Sequence, residues 1–170
     1  MSDVLARWNE LDSTEAAKEI MPCCGSKAWA AGLTGQRPYE DEAAVLITSD
    51  EVWRELGAAD WLQAFQSHPK IGESRAAALT GGQSATWSQQ EQKNVAVAQE
   101  EIKTELAKGN LEYEEKFGFI FIVCATGKSA SEILEILRRR LQNGKEKELK
   151  EAAEEQRQIT QLRLKKWLGI

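Results

Sequence analysis

Histidine occurs once in this chain of 170 residues, at position 68, and cysteine three times. Cys23 and Cys24 are adjacent and Cys124 sits in an apolar run, with no histidine beside any of them. The chain therefore has neither a disulfide framework nor the ligand set of a zinc site. The three thiols are expected to be reduced and structural, with Cys124 in the core. Also missing is any run approaching the ~20 apolar residues of a membrane span. The N-terminus lacks the basic-then-apolar order of a secretion signal, and Trp167-Leu168-Gly169-Ile170 is not a peroxisomal Ser-Lys-Leu address. A cytoplasmic protein with no membrane partner is expected. Basic residues do not gather either: 22 Lys and Arg are interspersed with 27 Asp and Glu, for a net charge of −5. Without a basic stripe, no nucleic-acid partner is expected. Internal repeats and low-complexity linkers are absent, which predicts a single domain over residues 1–170.

What is present argues for a packed globule: six tryptophans, 42 % hydrophobic residues and 29 % charged ones. Most segments carry helical boundary chemistry. Asp12 and Glu15 have capping-box spacing and open a helix to Met21-Pro22. Further helices are predicted from Ser26 to Leu33, from Asp41 to Leu56, and from an Asp60 cap through Trp61 to Ser67. Glu73 to Thr86, rich in Ala, Gly, Ser and Thr, reads as a short helical piece with a Gly81-Gly82 loop. Ser88 is expected to open a long helix to about Lys108, with Val95, Ala98, Ile102 and Leu106 on one stripe. Gly109-Asn110 would stop it, before a short helix from Leu111 to Lys116. Ser129 and Glu132 start another helix to about Leu141, and a last one runs from Lys145 to Leu168. The exception is Phe117 to Ala125, which propensity assigns to a strand. No second segment of comparable character offers it a ladder. The fold class is therefore all-α, a multi-helix bundle with one buried extended segment whose backbone groups need side chains, water or a ligand as partners.

Three features carry chemistry. Ser67-His68-Pro69-Lys70-Ile71-Gly72 stops a helix at a proline and presents an imidazole from a stiff loop. That suits an acid/base group, and it equally suits a histidine that caps a helix C-terminus. Ser88-Gln89-Gln90-Glu91-Gln92 reads as a helix start, where unpaired N–H groups favour a carboxylate or carbonyl. Ser88 and Glu91 could instead be engaged in capping their own backbone. Finally, Leu149, Ala152, Gln156, Ile159, Arg163 and Trp167 follow at steps of three and four, so Arg163 faces inward. Lys165, Lys166, Glu151, Glu154 and Glu155 fall off that stripe and are expected to stay solvated. An inward arginine requires an acceptor, from a ligand or from the protein.

These segments, together with Lys116-Phe117-Gly118-Phe119-Ile120-Phe121-Ile122-Val123-Cys124-Ala125 and Ile159-Thr160-Gln161-Leu162-Arg163-Leu164, resemble in content and order the 2-oxo-4-hydroxy-4-carboxy-5-ureidoimidazoline (OHCU) decarboxylases. Cys23-Cys24-Gly25-Ser26 looks like the plant members. The resemblance covers nearly the whole chain. It implies an all-helical homodimer without cofactor or metal that converts a small ureidoimidazoline to (S)-allantoin and carbon dioxide during urate breakdown. It places the catalytic histidine on His68 and its partner carboxylate on Glu91. Substrate contacts would fall on Pro69, Ser88, Gln92, the backbone of Phe121, Ile122, Val123 and Ala125, and Arg163. A helical interaction module that has lost turnover, and an enzyme acting on another ureido compound, are the competing readings.

Overall fold

A computed structural model describes residues 1–71 and 82–170. Gly72 and most of the segment read above as a short helical piece and loop, up to Gly81, lie outside the described residues. Among the described residues there are ten α-helices, one 3-10 turn and no strand. The all-α class holds. No described helix is long and apolar enough to cross a membrane. The chain divides into two compact units, Met1–Ala64 with Arg157–Ile170, and Phe65–Gln156.

The first unit begins with α1 (Asp3–Glu10), capped by Ser2, a helix the boundary signals above did not bring out. In α2 (Ser13–Ile20) the Asp12 carboxylate accepts from the N–H groups of Thr14 and Glu15, as its capping spacing predicts. The 3-10 turn Met21–Cys23 follows, with proline at its start. Ser26 caps α3 (Lys27–Thr34) and Asp41 caps α4 (Glu42–Glu55). Next comes α5 (Ala58–Gln66), which begins before Asp60, so that residue lies in the first turn rather than at the cap. An acidic group there still favours the helix dipole. The core of this unit is aromatic: Trp8 stacks on Tyr39 and meets Trp167 edge-on, with ring centroids 6.0 and 5.4 Å apart. Polar tips are satisfied, Trp8 Nε1 donating to the Ala16 carbonyl and Trp29 Nε1 to Ser49 Oγ.

In the second unit the predicted long helix from Ser88 is not there. Instead α6 (Gly82–Glu91), α7 (Lys93–Ala96) and α8 (Glu100–Phe117) succeed one another. Gln92 leaves helical geometry at φ −98°, ψ 14°, and the chain bends again before Gln99, whose extended backbone precedes α8. The stripe survives the breaks, because Val95 and Leu106 join the core cluster and Ala98 and Ile102 pack against it. Nor do Gly109 and Asn110 end a helix: both lie inside α8 and are buried. A Cβ on Gly109 would come within 2.6 Å of Leu137 Cδ2. Glycine here serves close approach to α9 (Ala130–Arg140) at some cost in helix propensity. Gly118, at φ +81°, ends α8 in the left-handed region and turns the chain into the run 119–125.

Phe117, expected in the strand-like run, is the last residue of α8; from Ile120 to Ala125 the chain has neither helix nor ladder, and Phe121 to Ala125 are all buried. Tyr113 is buried among Phe117, Phe119 and Phe121, with centroids 4.6 to 5.8 Å away. After α9, capped by Ser129, comes α10 (Lys145–Leu168), whose residues up to Gln156 belong to this unit. Glu148, at the start of α10, is fully buried opposite Arg140.

Candidate active site

The loop after α5 carries His68. Its N–H closes the helix by donating to the Phe65 carbonyl at 3.2 Å, and Phe65 is anchored in the core against Phe119. Proline at 69 then prevents further helix. The imidazole Nε2 donates to Oε1 of Gln156 at 2.6 Å. Gln156 is fully buried on the inward stripe of α10. A neutral amide oxygen on Nε2 fixes the tautomer, which leaves Nδ1 as the basic nitrogen of the neutral ring.

One residue before Gln156, Glu155 reaches the extended run, where its carboxylate accepts from the Cys124 N–H. Glu155 is half-buried, not solvated as its position off the stripe suggested. Burial raises its pKa above the ordinary carboxylate range, with Arg140, Lys128 and the Cys124 N–H opposing the shift. The Cys124 thiol is held protonated by burial, and the negative charges of Glu155 and Glu91 act in the same direction. Residues 155–156 of α10 thus join His68 to the extended run, and Glu91 lies within electrostatic reach of that run.

Protein side chains hold carbonyls of the run. Arg140 Nη1 donates to the Ile122 carbonyl at 2.5 Å, and Lys128 Nζ donates to the Cys124 carbonyl at 2.7 Å. Asn94 Nδ2 donates to the Lys128 carbonyl at 3.0 Å, tying α7 to the turn beyond the run. Arg140 is itself fixed by Glu148, whose Oε1 also accepts from the Tyr113 hydroxyl at 2.5 Å. Burial keeps that phenol protonated, so it remains a donor.

Ser88 is buried near the end of α6, and its carbonyl accepts from Gln92 N–H at 3.1 Å. The sequence 88–92 is therefore a helix C-terminus, which overturns the expected helix-start seat for an anion. A propensity reading could not locate this start, because Ser and Gln tolerate helix interiors when tertiary contacts favour them. Ser88, Gln92 and Pro69 nonetheless share a cavity of about 680 Å³ with Val95, Leu106 and Asn110. His68 and Glu91 are the immediate chain neighbours of Pro69 and Gln92.

Arg163 lies in the first unit and is 1 % exposed, so its inward orientation holds. Its Nη1 donates to the Pro22 carbonyl at 3.1 Å. The guanidinium neighbours Cys23 and Cys24, and burial still pushes both thiols up, Cys24 to about 12. All three cysteines are buried and unbridged. Among the described residues no three His, Cys, Asp or Glu side chains converge as a metal ligand set.

Four participants escaped the motif reading: Gln156, Asn110, Arg140 and Lys128. Gln156 had left a signal, since a polar side chain on an apolar stripe needs a partner. Arg140 carries no such mark, because in sequence it sits beside Arg138 and Arg139, and Lys128 stands in a Gly-Lys-Ser turn where a lysine is ordinarily solvated.

The OHCU decarboxylase family model matches residues 9–165. A uric acid degradation bifunctional protein of Arabidopsis thaliana is 34 % identical over 144 residues, covering 85 % of this chain and 44 % of the relative. Its counterpart in a Bacillus species is 28 % identical, covering 94 % of this chain and 31 % of the relative. The chain thus spans less than half the length of these two relatives. A crystal structure of an OHCU decarboxylase in the presence of (S)-allantoin superposes with a TM-score of 0.76 at 33 % identity, over 89 % of this chain and 98 % of that one. With the family's motifs in order and its fold reproduced, this chain belongs to the OHCU decarboxylase family.

Proposed function

We propose that this protein decarboxylates 2-oxo-4-hydroxy-4-carboxy-5-ureidoimidazoline to (S)-allantoin and carbon dioxide, with residues 1–170 as one catalytic domain. The observation that carries the reading is the hydrogen bond from His68 to a buried Gln156, whose neighbour Glu155 reaches a run with carbonyls bound by Arg140 and Lys128. A histidine serving only as a helix cap has no need of a buried amide partner.

The chemistry suits these groups. Departure of carbon dioxide breaks the bond from ring carbon 4 to the carboxylate, and the electron pair moves toward carbon 5 and its imine nitrogen. No external electron sink is required. The ring nitrogen then takes a proton from solvent, which balances the charge of the departed carboxylate, and carbon 5 gains a proton on one face while the 4-hydroxyl gives one up and becomes the carbonyl. His68, with Nε2 held by Gln156, supplies acid/base capacity at Nδ1 for one of these transfers. Glu91 is assigned as the carboxylate that orients His68 in the working complex. Pro69, Ser88, Gln92, the backbone of Phe121, Ile122, Val123 and Ala125, and Arg163 are assigned to the substrate's ring, ureido and carboxylate groups. In the same reading the protein is a cytoplasmic homodimer that takes a freely diffusing substrate, and light scattering on the eluting protein tests the dimer.

The test of function is circular dichroism during decay of substrate made in situ from urate by uricase and hydroxyisourate hydrolase. Spontaneous decay yields a racemate and no net signal. Wild-type protein should produce the (S)-allantoin signal rapidly, and His68→Ala should lower the rate by about 10²–10⁴-fold. No acceleration over the blank by wild-type protein would overturn the proposal.

A further inference from the structure

Asn110 is a polar residue buried in the middle of α8, only 7 % exposed. Its Nδ2 donates to the Ile71 carbonyl at 3.1 Å, three residues beyond His68. That bond fixes the amide's orientation, since the flipped amide would set two oxygens against each other. Oδ1 is left as a buried acceptor with no hydrogen-bond partner among the described residues. Orphans of this kind are uncommon and call for a reason. Asn110 also lines the cavity that holds Pro69, Ser88 and Gln92.

The cavity's character narrows what could satisfy the orphan. Val95, Leu106 and Ala107 make one wall apolar, Ser88, Gln89 and Gln92 contribute a hydroxyl and two amides, and the two lysines of the lining, Lys70 and Lys103, are paired with Glu114 and Glu100. An unpaired carbonyl oxygen repels a carboxylate or phosphate and accepts from a neutral N–H. We propose that Asn110 is a substrate-recognition residue: Nδ2 tethers the His68 loop, and Oδ1 accepts an N–H of the substrate's ureido group. The inference rests on the decarboxylation reading and deepens it. It assigns the ureido end to the α8 side of the cavity, with the reacting carboxylate directed away from Asn110.

The test compares Asn110→Leu and Asn110→Asp with wild type, using in situ generated substrate for kinetics and (S)-allantoin, which retains the ureido group, as a binding probe in thermal shift. Asn110→Leu removes both bonds at similar volume. Its KM should rise about tenfold and its stabilisation by (S)-allantoin should disappear. Asn110→Asp mimics the amide only when protonated, its O–H then donating to Ile71 and its other oxygen accepting. Its KM should therefore approach wild type as pH falls, whereas that of Asn110→Leu should not. Unchanged KM and unchanged (S)-allantoin binding in Asn110→Leu would overturn the inference while wild-type turnover left the decarboxylation reading standing. A loss of kcat alone would also overturn it, reducing Asn110 to a tether. Should Asn110→Leu fail to fold, an Asn110→Asp variant without recovery at low pH is the overturning result. Absence of turnover in wild type would overturn both readings together.

Discussion

Replacing Arg140 by methionine should be among the most destabilising single changes in the second unit. Arg140 and Glu148 are both fully buried, with Nε and Nη2 at 2.6 and 2.5 Å from the same carboxylate oxygen. The guanidinium also lies over Phe121 at 4.7 Å and donates to the Ile122 carbonyl. Methionine keeps much of the volume and loses every polar contact. The carboxylate of Glu148 then retains only Tyr113 and Asn143 as donors, and a buried carbonyl of the extended run is stranded. Removing one partner of a buried ion pair costs about 3–5 kcal/mol, most of it from the charge left behind. For a chain of this size each kcal/mol lowers Tm by about 2–4 °C, so a drop of roughly 6–20 °C is expected. If the stranded charge is the cause, Glu148→Gln added to Arg140→Met should restore about 2 kcal/mol, because the buried charge is removed and the one amide oxygen still accepts from Tyr113, at the cost of the Asn143 bond to the other oxygen. Urea and thermal unfolding of both variants measure this. A single variant within 1 kcal/mol of wild type would refute the reasoning, as would a double variant less stable than the single one.

Other consequences are as direct. Gly109→Ala gains helix propensity but forces its Cβ onto Leu137, so a net loss of roughly 1 kcal/mol is expected in urea unfolding, and a stabilised variant would contradict the packing account. Glu155 has a raised folded pKa, so its stabilising contribution is complete below the unfolded value near 4.5 and is lost as pH rises through the folded value. Glu155→Gln should therefore gain in Tm relative to wild type as pH rises from about 4.5 toward neutrality, and a difference that does not vary with pH would refute the assignment. Gln156→Leu should lower kcat by up to about 10²-fold through loss of imidazole orientation. Gln156→Glu should move the acid limb of the kcat/KM profile to higher pH, since a carboxylate favours the charged ring. An unshifted limb would separate Gln156 from the reacting histidine.

Local chemistry sufficed wherever a boundary depends on neighbours in sequence. Asp12 and Ser129 cap helices where their spacing says they should, and the helices expected from Ser26 and Asp41 begin there with those residues as caps, because a cap is a bond over two or three residues. The inward face of α10 was legible from its period alone, and with it the burial of Gln156 and Arg163. The missing ladder of 119–125 was legible too, since nothing else in the chain could pair with it. Tertiary contacts decided the rest. Ser88 and Glu91 have the spacing of a cap and end a helix instead, and Gly109-Asn110 looks like a stop and continues one. In both places, burial against distant segments outweighs propensities of a kcal/mol or less. The partner of His68 lies 88 residues away, and the donors that hold the extended run come from Arg140 and Lys128. No periodicity encodes such pairings, because they arise only when packing removes water and leaves each buried polar group to find its complement.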